Sequence, residues 1–377
     1  MSVVGEQHQQ RVLIDGSRLM IEAMARAGAD TFVGYPITPA NLLYAYGMRR
    51  FPVGLPAPDE ITALQWMSGF AATGHVPVTA TSFPGFALML ESVNMAYMME
   101  LPMVIVQAQR LGPSTGTATC GAMGDILLLH GAISGGQPIL TLCPSSLRDC
   151  WELAQLAVQA AVSLRTPVVL LTSKEMIMTQ QDIDLDELQQ IDTVPRSIYE
   201  SDTPFESYLP AGDHVPDFLP VGDSQHQVRL TASTHDQRGI IQGVTEAGLD
   251  NTRRLADKLR TGLPKYTRYE LDESDDTACL VVAYDVAAAA AREAVRSLRT
   301  QGQPASLLVI KTLFPVAEIY YQIIARYDRV FFVEENQQGQ FAGVLFGAAE
   351  RPGHHRINVI GRMISPEEIV ETVNRHD

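Results

Sequence analysis

Metal ligands are what this sequence has least of. Its four cysteines, Cys120, Cys143, Cys150 and Cys279, stand too far apart for a Cys-x2-Cys cluster or a secreted disulfide framework. No iron–sulfur cluster is therefore expected on this chain alone, and Cys143 and Cys150 read as small buried thiols. The nine histidines show neither His-x3-His nor His-Glu-x2-His spacing, so a metal site built only from this chain is not expected either. Basic residues are also short: 28 Lys and Arg against 43 Asp and Glu leave a formal net charge of −15 and no basic stripe. Such a surface repels phosphate backbones, which excludes nucleic acid as an expected partner. Glu91, Glu100 or Asp285 interrupt the longest apolar stretches well before the roughly 18 residues of a membrane-spanning helix. Residues Met1 to Arg11 are polar with no apolar leader core, so a cytoplasmic location is expected and no membrane. No Gly-x-Gly-x-x-Gly follows a strand-like run and no Gly-x4-Gly-Lys-Ser/Thr occurs, which argues against dinucleotide and P-loop sites.

What is present is enough apolar material, 46% of 377 residues, for two domains at roughly 100 to 200 residues each. Apolar residues at helical spacing predict a helix over Val12 to Ala29, with Asp15-Gly16-Ser17 at its start and Gly28 as its stop. Thr31 to Val33 reads as a strand, Asn41 opens a helix, Phe51 to Pro58 is a Pro/Gly-rich connection, and Ile61 to Thr73 is helical with Glu60 at its first turn. Pro77–Thr81, Met103–Val106, Ile139–Leu142 and Pro167–Leu171 read as strands separated by helices. That alternation implies a parallel, doubly wound sheet, whose ligands bind at the carboxyl ends of its strands.

From about Met176 to Ser274 the pattern gives way to acidic, Pro/Gly-containing sequence, a long connection over a surface with at least one helix, near Thr252 to Leu263. A second α/β unit follows: strand Ala278 to Ala283, helix Val286 to Leu298, strand Ala305 to Ile310, a helix through Ala325, and strand Arg329 to Val333. The division is 1–190, 191–275 and 276–377. Glu334 to Gln340 ends the last strand in a polar loop; its composition favours a solvated charged turn, with a strand-end site facing a partner as the other reading.

Three polar stretches fall at strand ends. Gly34-Tyr35-Pro36-Ile37-Thr38-Pro39 sets a hydroxyl between two prolines, which fix their own φ angles and push Tyr35 and Thr38 towards extended backbone. Asp59-Glu60 puts a carboxylate at a helix start, where it serves equally well as a cap. Gln109-Arg110-Leu111-Gly112-Pro113-Ser114-Thr115-Gly116 adds a guanidinium and two hydroxyls.

Together with Ala80-Thr81-Ser82-Phe83-Pro84-Gly85 and, later, His235-Asp236 and Lys311-Thr312-Leu313-Phe314-Pro315, these stretches occur in the order of the 2-oxoacid:ferredoxin oxidoreductases. The chain resembles their α subunit over most of 10–175 and 278–340, and Gly-Pro-Ser-Thr-Gly is closer to the 2-oxoglutarate and branched-chain members than to the pyruvate enzymes. The resemblance implies a pyrimidine-type thiamine-enzyme domain followed by a transketolase C-terminal-like α/β domain. It implies decarboxylation of a 2-oxoacid on thiamine diphosphate, single-electron transfer to ferredoxin and acyl transfer to coenzyme A, with 2-oxoglutarate as first substrate. Branched-chain, aryl or pyruvate substrates, or a non-catalytic scaffold, are the alternatives.

By the same resemblance, Glu60 would hydrogen-bond the cofactor's aminopyrimidine, with Tyr35, Pro36 and Ile37 lining it. Arg110 would receive the substrate carboxylate, for which a bidentate fork is suited. Thr38 would meet the substrate's oxygens, with Ser114 and Thr115 as secondary contacts. The family's Gly-Asp-Gly diphosphate grip is missing, so a β-type subunit is expected to carry the diphosphate site, Mg²⁺ and a 4Fe–4S cluster, with the cofactor shared between the chains. A γ-type domain is expected as a separate polypeptide or not at all. Two departures touch the supposed pocket: Phe83 stands where the family has glycine, and Thr117 to Met123 does not follow its usual course.

Overall fold

The structure, a computed structural model, describes residues 11–210, 212–275 and 277–376. The polar stretch before Arg11 lies outside the described residues. Among these, the first unit is built on six parallel strands in the order β6-β7-β5-β4-β2-β3. They are β2 (Thr31–Gly34), β3 (Val53–Pro56), β4 (Pro77–Thr81), β5 (Met103–Gln109), β6 (Leu140–Leu142) and β7 (Pro167–Ser173). Strands β4, β5 and β7 are buried along their whole length, as continuous apolar runs must be when helices cover both faces of a parallel sheet. Two helix groups do the covering. One is α1 (Gly16–Arg26), α2 (Asn41–Arg50) and α6 (Leu147–Leu164); the other is α3 (Glu60–Ala72) and α4 (Phe83–Met98), and a short helix α5 (Ile126–His130) follows β5.

Local chemistry sets the helix starts. The Asp15 carboxylate accepts from the backbone N–H of Arg18 at 3.0 Å and that of Asp59 from Thr62 at 2.7 Å, each satisfying an N–H that a helix start leaves without a partner. Two expectations need correction here. Val12 to Ile14 do not extend α1 but lie in strand β1 (Arg11–Asp15), antiparallel to β8 (Gln180–Asp184), because cross-strand pairing outweighs helical spacing in so short a run. The connection Phe51 to Pro58 contains β3, which tolerates Pro56 because it is the sheet's edge.

The second unit has the strand order β14-β13-β10-β11-β9. Strands β10 (Cys279–Ala283), β11 (Ser306–Ile310), β13 (Arg329–Glu334) and β14 (His354–Asn358) are parallel, and β9 (Tyr269–Asp272) is antiparallel to β11. Helices α9 (Ala287–Thr300), α10 (Glu318–Ile324), α11 (Gln340–Phe346) and α12 (Pro366–Arg375) accompany them. Lys311 to Pro315, expected within this unit, instead sends strand β12 (Thr312–Phe314) across to pair antiparallel with β6 of the first sheet. Lys311 marks the crossing: its Nζ lies 2.7 Å from Asp149 Oδ1, and its carbonyl accepts from Cys143 N–H at 2.7 Å.

Between the units run α7 (Lys174–Met178), β8 and a long wrap ending in α8 (Glu246–Tyr266), which extends beyond the predicted Thr252 to Leu263 at both ends. The wrap is anchored rather than laid loosely on a surface, for Tyr208 and His235 are wholly buried in it. Helix α8 is pinned through Glu100, a residue with φ of 54° in the turn between α4 and β5. Its carboxylate takes Lys258 Nζ at 2.7 Å and both terminal nitrogens of Arg254, all three side chains being buried.

Candidate functional site

The loops that carry Thr38 and Arg110 meet at the carboxyl end of β4. Strand β4 lies between β2 and β5, and the loops leaving those two neighbours touch across it: Arg110 Nη1 donates to the Thr38 carbonyl at 2.8 Å. Arg110 is only 6% exposed, forms no salt bridge among the described residues, and keeps its Nε–H buried with no partner. A buried guanidinium so poorly matched is costly unless something else pairs with it, and a carboxylate is its best partner. The half-buried Thr38 keeps its hydroxyl free of protein partners among the described residues, while Tyr35 and Pro36 are exposed and Ile37 is half-buried.

Glu60 approaches the same place from the other side. It opens α3, is 6% exposed, and its carboxylate has no hydrogen-bond donor among the described residues. It lies against the first turn of α4, where a Cβ on Gly85 would come within 2.6 Å of Glu60 Oε1 and 2.1 Å of Thr81 Oγ1. Only glycine fits there. Asp59, not Glu60, caps α3, which leaves the Glu60 carboxylate unused by the helix start. Ser82 Oγ, at the start of α4, is buried without a partner among the described residues. Ser114 and Thr115 stand apart, exposed at the tip of a loop closed by a bridge between Leu111 and Thr117.

Two further groups belong to this neighbourhood. Gln107 and Gln109 interrupt the apolar run of β5 on one face; Gln107 Nε2 donates to Asp125 Oδ2 at 3.0 Å, and Gln109 Oε1 accepts from Asp125 N–H at 3.1 Å. Burial pushes the Asp125 carboxyl up to about 6, against the pull of Gln107 and the Arg110 charge. Two glutamines at alternate positions of a buried strand were the signal for this network; nothing local pointed to Asp125.

The Glu334 to Gln340 loop is not the solvated charged turn that its composition favours. Glu334, Glu335 and Asn336 are buried, and the Glu334 carboxylate accepts from Tyr284 Oη at 2.8 Å and from the N–H groups of Phe341 and Ala342 at 2.9 and 3.0 Å. Burial pushes the Glu335 carboxyl up to about 7, although the Ile364 N–H donates to it. Among the described residues no group of three or more His, Cys, Asp or Glu is arranged to hold a metal ion, and no helix is long and apolar enough to cross a membrane. A cavity of about 1000 Å³ lies elsewhere, lined by Ile14, Arg18, Tyr46, Trp151 and Leu188 among others, and shares no residue with the end of β4.

Comparison with known proteins gives a consistent pattern. Residues 22–243 match the family described as pyruvate flavodoxin/ferredoxin oxidoreductase, thiamine diphosphate-binding. The chain is 30% identical to the 2-oxoglutarate synthase subunit KorA of Methanothermobacter marburgensis, over 97% of this chain and 98% of the relative. It is also 30% identical to the ketoisovalerate oxidoreductase subunit VorB of Methanothermobacter thermautotrophicus, over 80% of each. A solved 2-oxoglutarate:ferredoxin oxidoreductase from Magnetococcus marinus, with 2-oxoglutarate, coenzyme A and succinyl-CoA bound, superposes with a TM-score of 0.91 at 24% identity. That match covers 97% of this chain but 65% of the other. A split-gene transketolase superposes with a TM-score of 0.55 at 12% identity. The two units are thus a thiamine-binding doubly wound sheet domain and a transketolase-like C-terminal α/β domain.

Proposed function

Because this chain belongs to the pyruvate flavodoxin/ferredoxin oxidoreductase family, we propose that it is the α subunit of a CoA-acylating 2-oxoacid:ferredoxin oxidoreductase, with 2-oxoglutarate as substrate. The observation that carries the reading is the Arg110 guanidinium, buried and underpaired beside Thr38, with the buried Glu60 carboxylate, which no protein group engages among the described residues, near the end of β4. A 2-oxoacid presents a carboxylate for the first and an adjacent oxo oxygen for the Thr38 hydroxyl.

The residues fit the pyrimidine half of thiamine diphosphate. Glu60 is buried, lacks a protein donor among the described residues, and lies in a cradle that a Cβ on Gly85 would fill. A carboxylate so placed would share a proton with a ring nitrogen, and Ser82 Oγ offers a further polar contact. When bound, the cofactor supplies the electron sink that decarboxylation of a 2-oxoacid requires. Tyr35, Ile61, Trp66 and Leu88 stand exposed on the elements that carry this site, and α3 is apolar on more than one face, as an element covered by another chain would be. We assign that cover to a β-type subunit holding the diphosphate, Mg²⁺ and an iron–sulfur cluster, with ferredoxin as acceptor. The likeness to a ketoisovalerate enzyme subunit supports a second reading, the same chemistry on a branched-chain acid.

The test is to isolate the native complex through a tag on this chain and to assay CoA-dependent reduction of a low-potential acceptor across a panel of 2-oxoacids. Activity with 2-oxoglutarate above the others supports the first reading, and preference for a branched acid supports the second. A complex lacking thiamine diphosphate and iron would overturn both.

A further inference from the structure

Gln109 immediately precedes Arg110, and its amide is held at both ends. Its Oε1 accepts from Asp125 N–H at 3.1 Å, and its Nε2 donates to Oδ2 of Asp285 at 3.1 Å. Asp285 belongs to the other unit, where it follows β10, wholly buried, with φ of 49°. Its second oxygen, Oδ1, accepts from the Ser173 hydroxyl at 2.9 Å, and Ser173 is the register partner of Gln109 on β7. One carboxyl of the second unit thus ties together the ends of two adjacent strands in the first.

We propose that Asp285 is a positioning residue for Arg110: by fixing Gln109 and Ser173 it holds the carboxyl end of β5, and with it the guanidinium that receives the substrate carboxylate. The proposal rests on the role assigned to Arg110 above. Among the described residues the guanidinium has one hydrogen bond of its own, to Thr38, so its place depends on where β5 ends. Displacing a substrate-holding group by about 1 Å costs on the order of a hundredfold in rate, which makes such an anchor consequential. Burial pushes the Asp285 carboxyl up to about 8; the Ser173 hydroxyl and Val286 N–H pull it down, and Glu335 and Glu175 push it further up. Burial thus favours the uncharged carboxyl, for which asparagine is the close counterpart in shape and charge. The Ser173 hydroxyl accepts as readily as it donates, so Asp285→Asn keeps both contacts. Asparagine and glycine both tolerate the positive φ at this position.

The experiment compares kcat and the separate KM values for 2-oxoacid and CoA in the assembled complex, for Asp285→Asn, Asp285→Gly, Ser173→Ala, Arg110→Lys and the Asp285→Gly/Arg110→Lys pair. Losing two neutral hydrogen bonds predicts a rise of about tenfold in 2-oxoacid KM for Asp285→Gly, with CoA KM unchanged. Ser173→Ala, which removes one bond, should give about threefold, and Asp285→Asn should stay within about twofold. If Asp285 acts through Arg110, its loss adds little once Arg110 is lysine. Full additivity, an equal rise in both KM values, or Asp285→Asn behaving like Asp285→Gly would overturn the positioning role. Arg110→Lys without effect on any parameter would instead overturn the assignment of Arg110, on which the proposal depends.

Discussion

Replacing Glu100 by glutamine should be among the most damaging single changes in this chain. The side chain is wholly buried and pairs with two buried cations, Arg254 through both terminal nitrogens and Lys258 at 2.7 Å. Glu100→Gln leaves those cations in a low-dielectric site with no counter-charge, and removing one partner from a buried ion pair costs about 3–5 kcal/mol. Against a total stability of about 5–15 kcal/mol, that is a large share. Urea unfolding followed by tryptophan fluorescence should show a midpoint lowered by about 1–2 M. Lys258→Met should cost less, because the Arg254 fork remains, and replacing all three groups with apolar residues should recover most of the loss.

The effect has a pH signature. Burial raises the Glu100 carboxyl, but Lys258 and Arg254 more than offset this and hold it down to about 2, below the ordinary 4.5. A carboxyl depressed on folding contributes its full stability above the unfolded value and loses it as pH falls towards the folded one. The parent should therefore lose stability between about pH 4.5 and 2 more steeply than Glu100→Gln. A glutamine variant within about 1 kcal/mol of the parent, with the same acid profile, would refute the reasoning.

Glu60→Gln should lower turnover by about 10²–10⁴-fold while the complex assembles normally by size-exclusion chromatography; turnover at the parent rate would remove Glu60 from the chemistry. Trp66→Glu should weaken association with the partner chain by at least about tenfold in co-purification or sedimentation, since an aromatic anchor at an interface centre is worth about 2 kcal/mol or more. Undiminished association would place the partner elsewhere. Asp125→Asn should stabilise the chain near neutral pH, because burial raises this carboxyl to about 6 from 3.8, so that the folded state resists its ionisation. The gain, at most about 3 kcal/mol, should shrink as pH falls from about 6 and be gone below about 4, where both states are protonated. Equal unfolding midpoints near pH 7 would count against it.

The two sheets were legible because their strands are apolar runs that nothing but burial explains, Met103–Val106 and Ala278–Ala283 above all. Thr38, Glu60 and Arg110 were legible as polar groups at the ends of such runs. What escaped depends on partners distant in sequence. Val12 to Ile14 have helical spacing and become strand only because Gln180–Asp184 returns beside them. Glu334 to Asn336 look solvated until Tyr284, Met123 and Ile364 close over them. Asp125 and Asp285 are single carboxylates in loops, and their meaning comes from the two glutamines of β5, whose partners no local pattern specifies. Ser114 and Thr115 share a motif with Arg110 but not its burial, since the chain turns outward directly after it.

The crossing of β12 bears on how this chain can be divided. Cutting it near residue 275 would yield two pieces that each contain a sheet, yet the first would lose the strand that covers β6 and the lysine beside Asp149. A bare, apolar sheet margin invites self-association, so the amino-terminal fragment expressed alone should be a poor reagent for cofactor-binding studies. Modular reassembly with a relative's second unit would need the donor to bring both a β12 equivalent and a carboxyl at the place of Asp285. Breakpoints chosen from sheet boundaries alone would miss this.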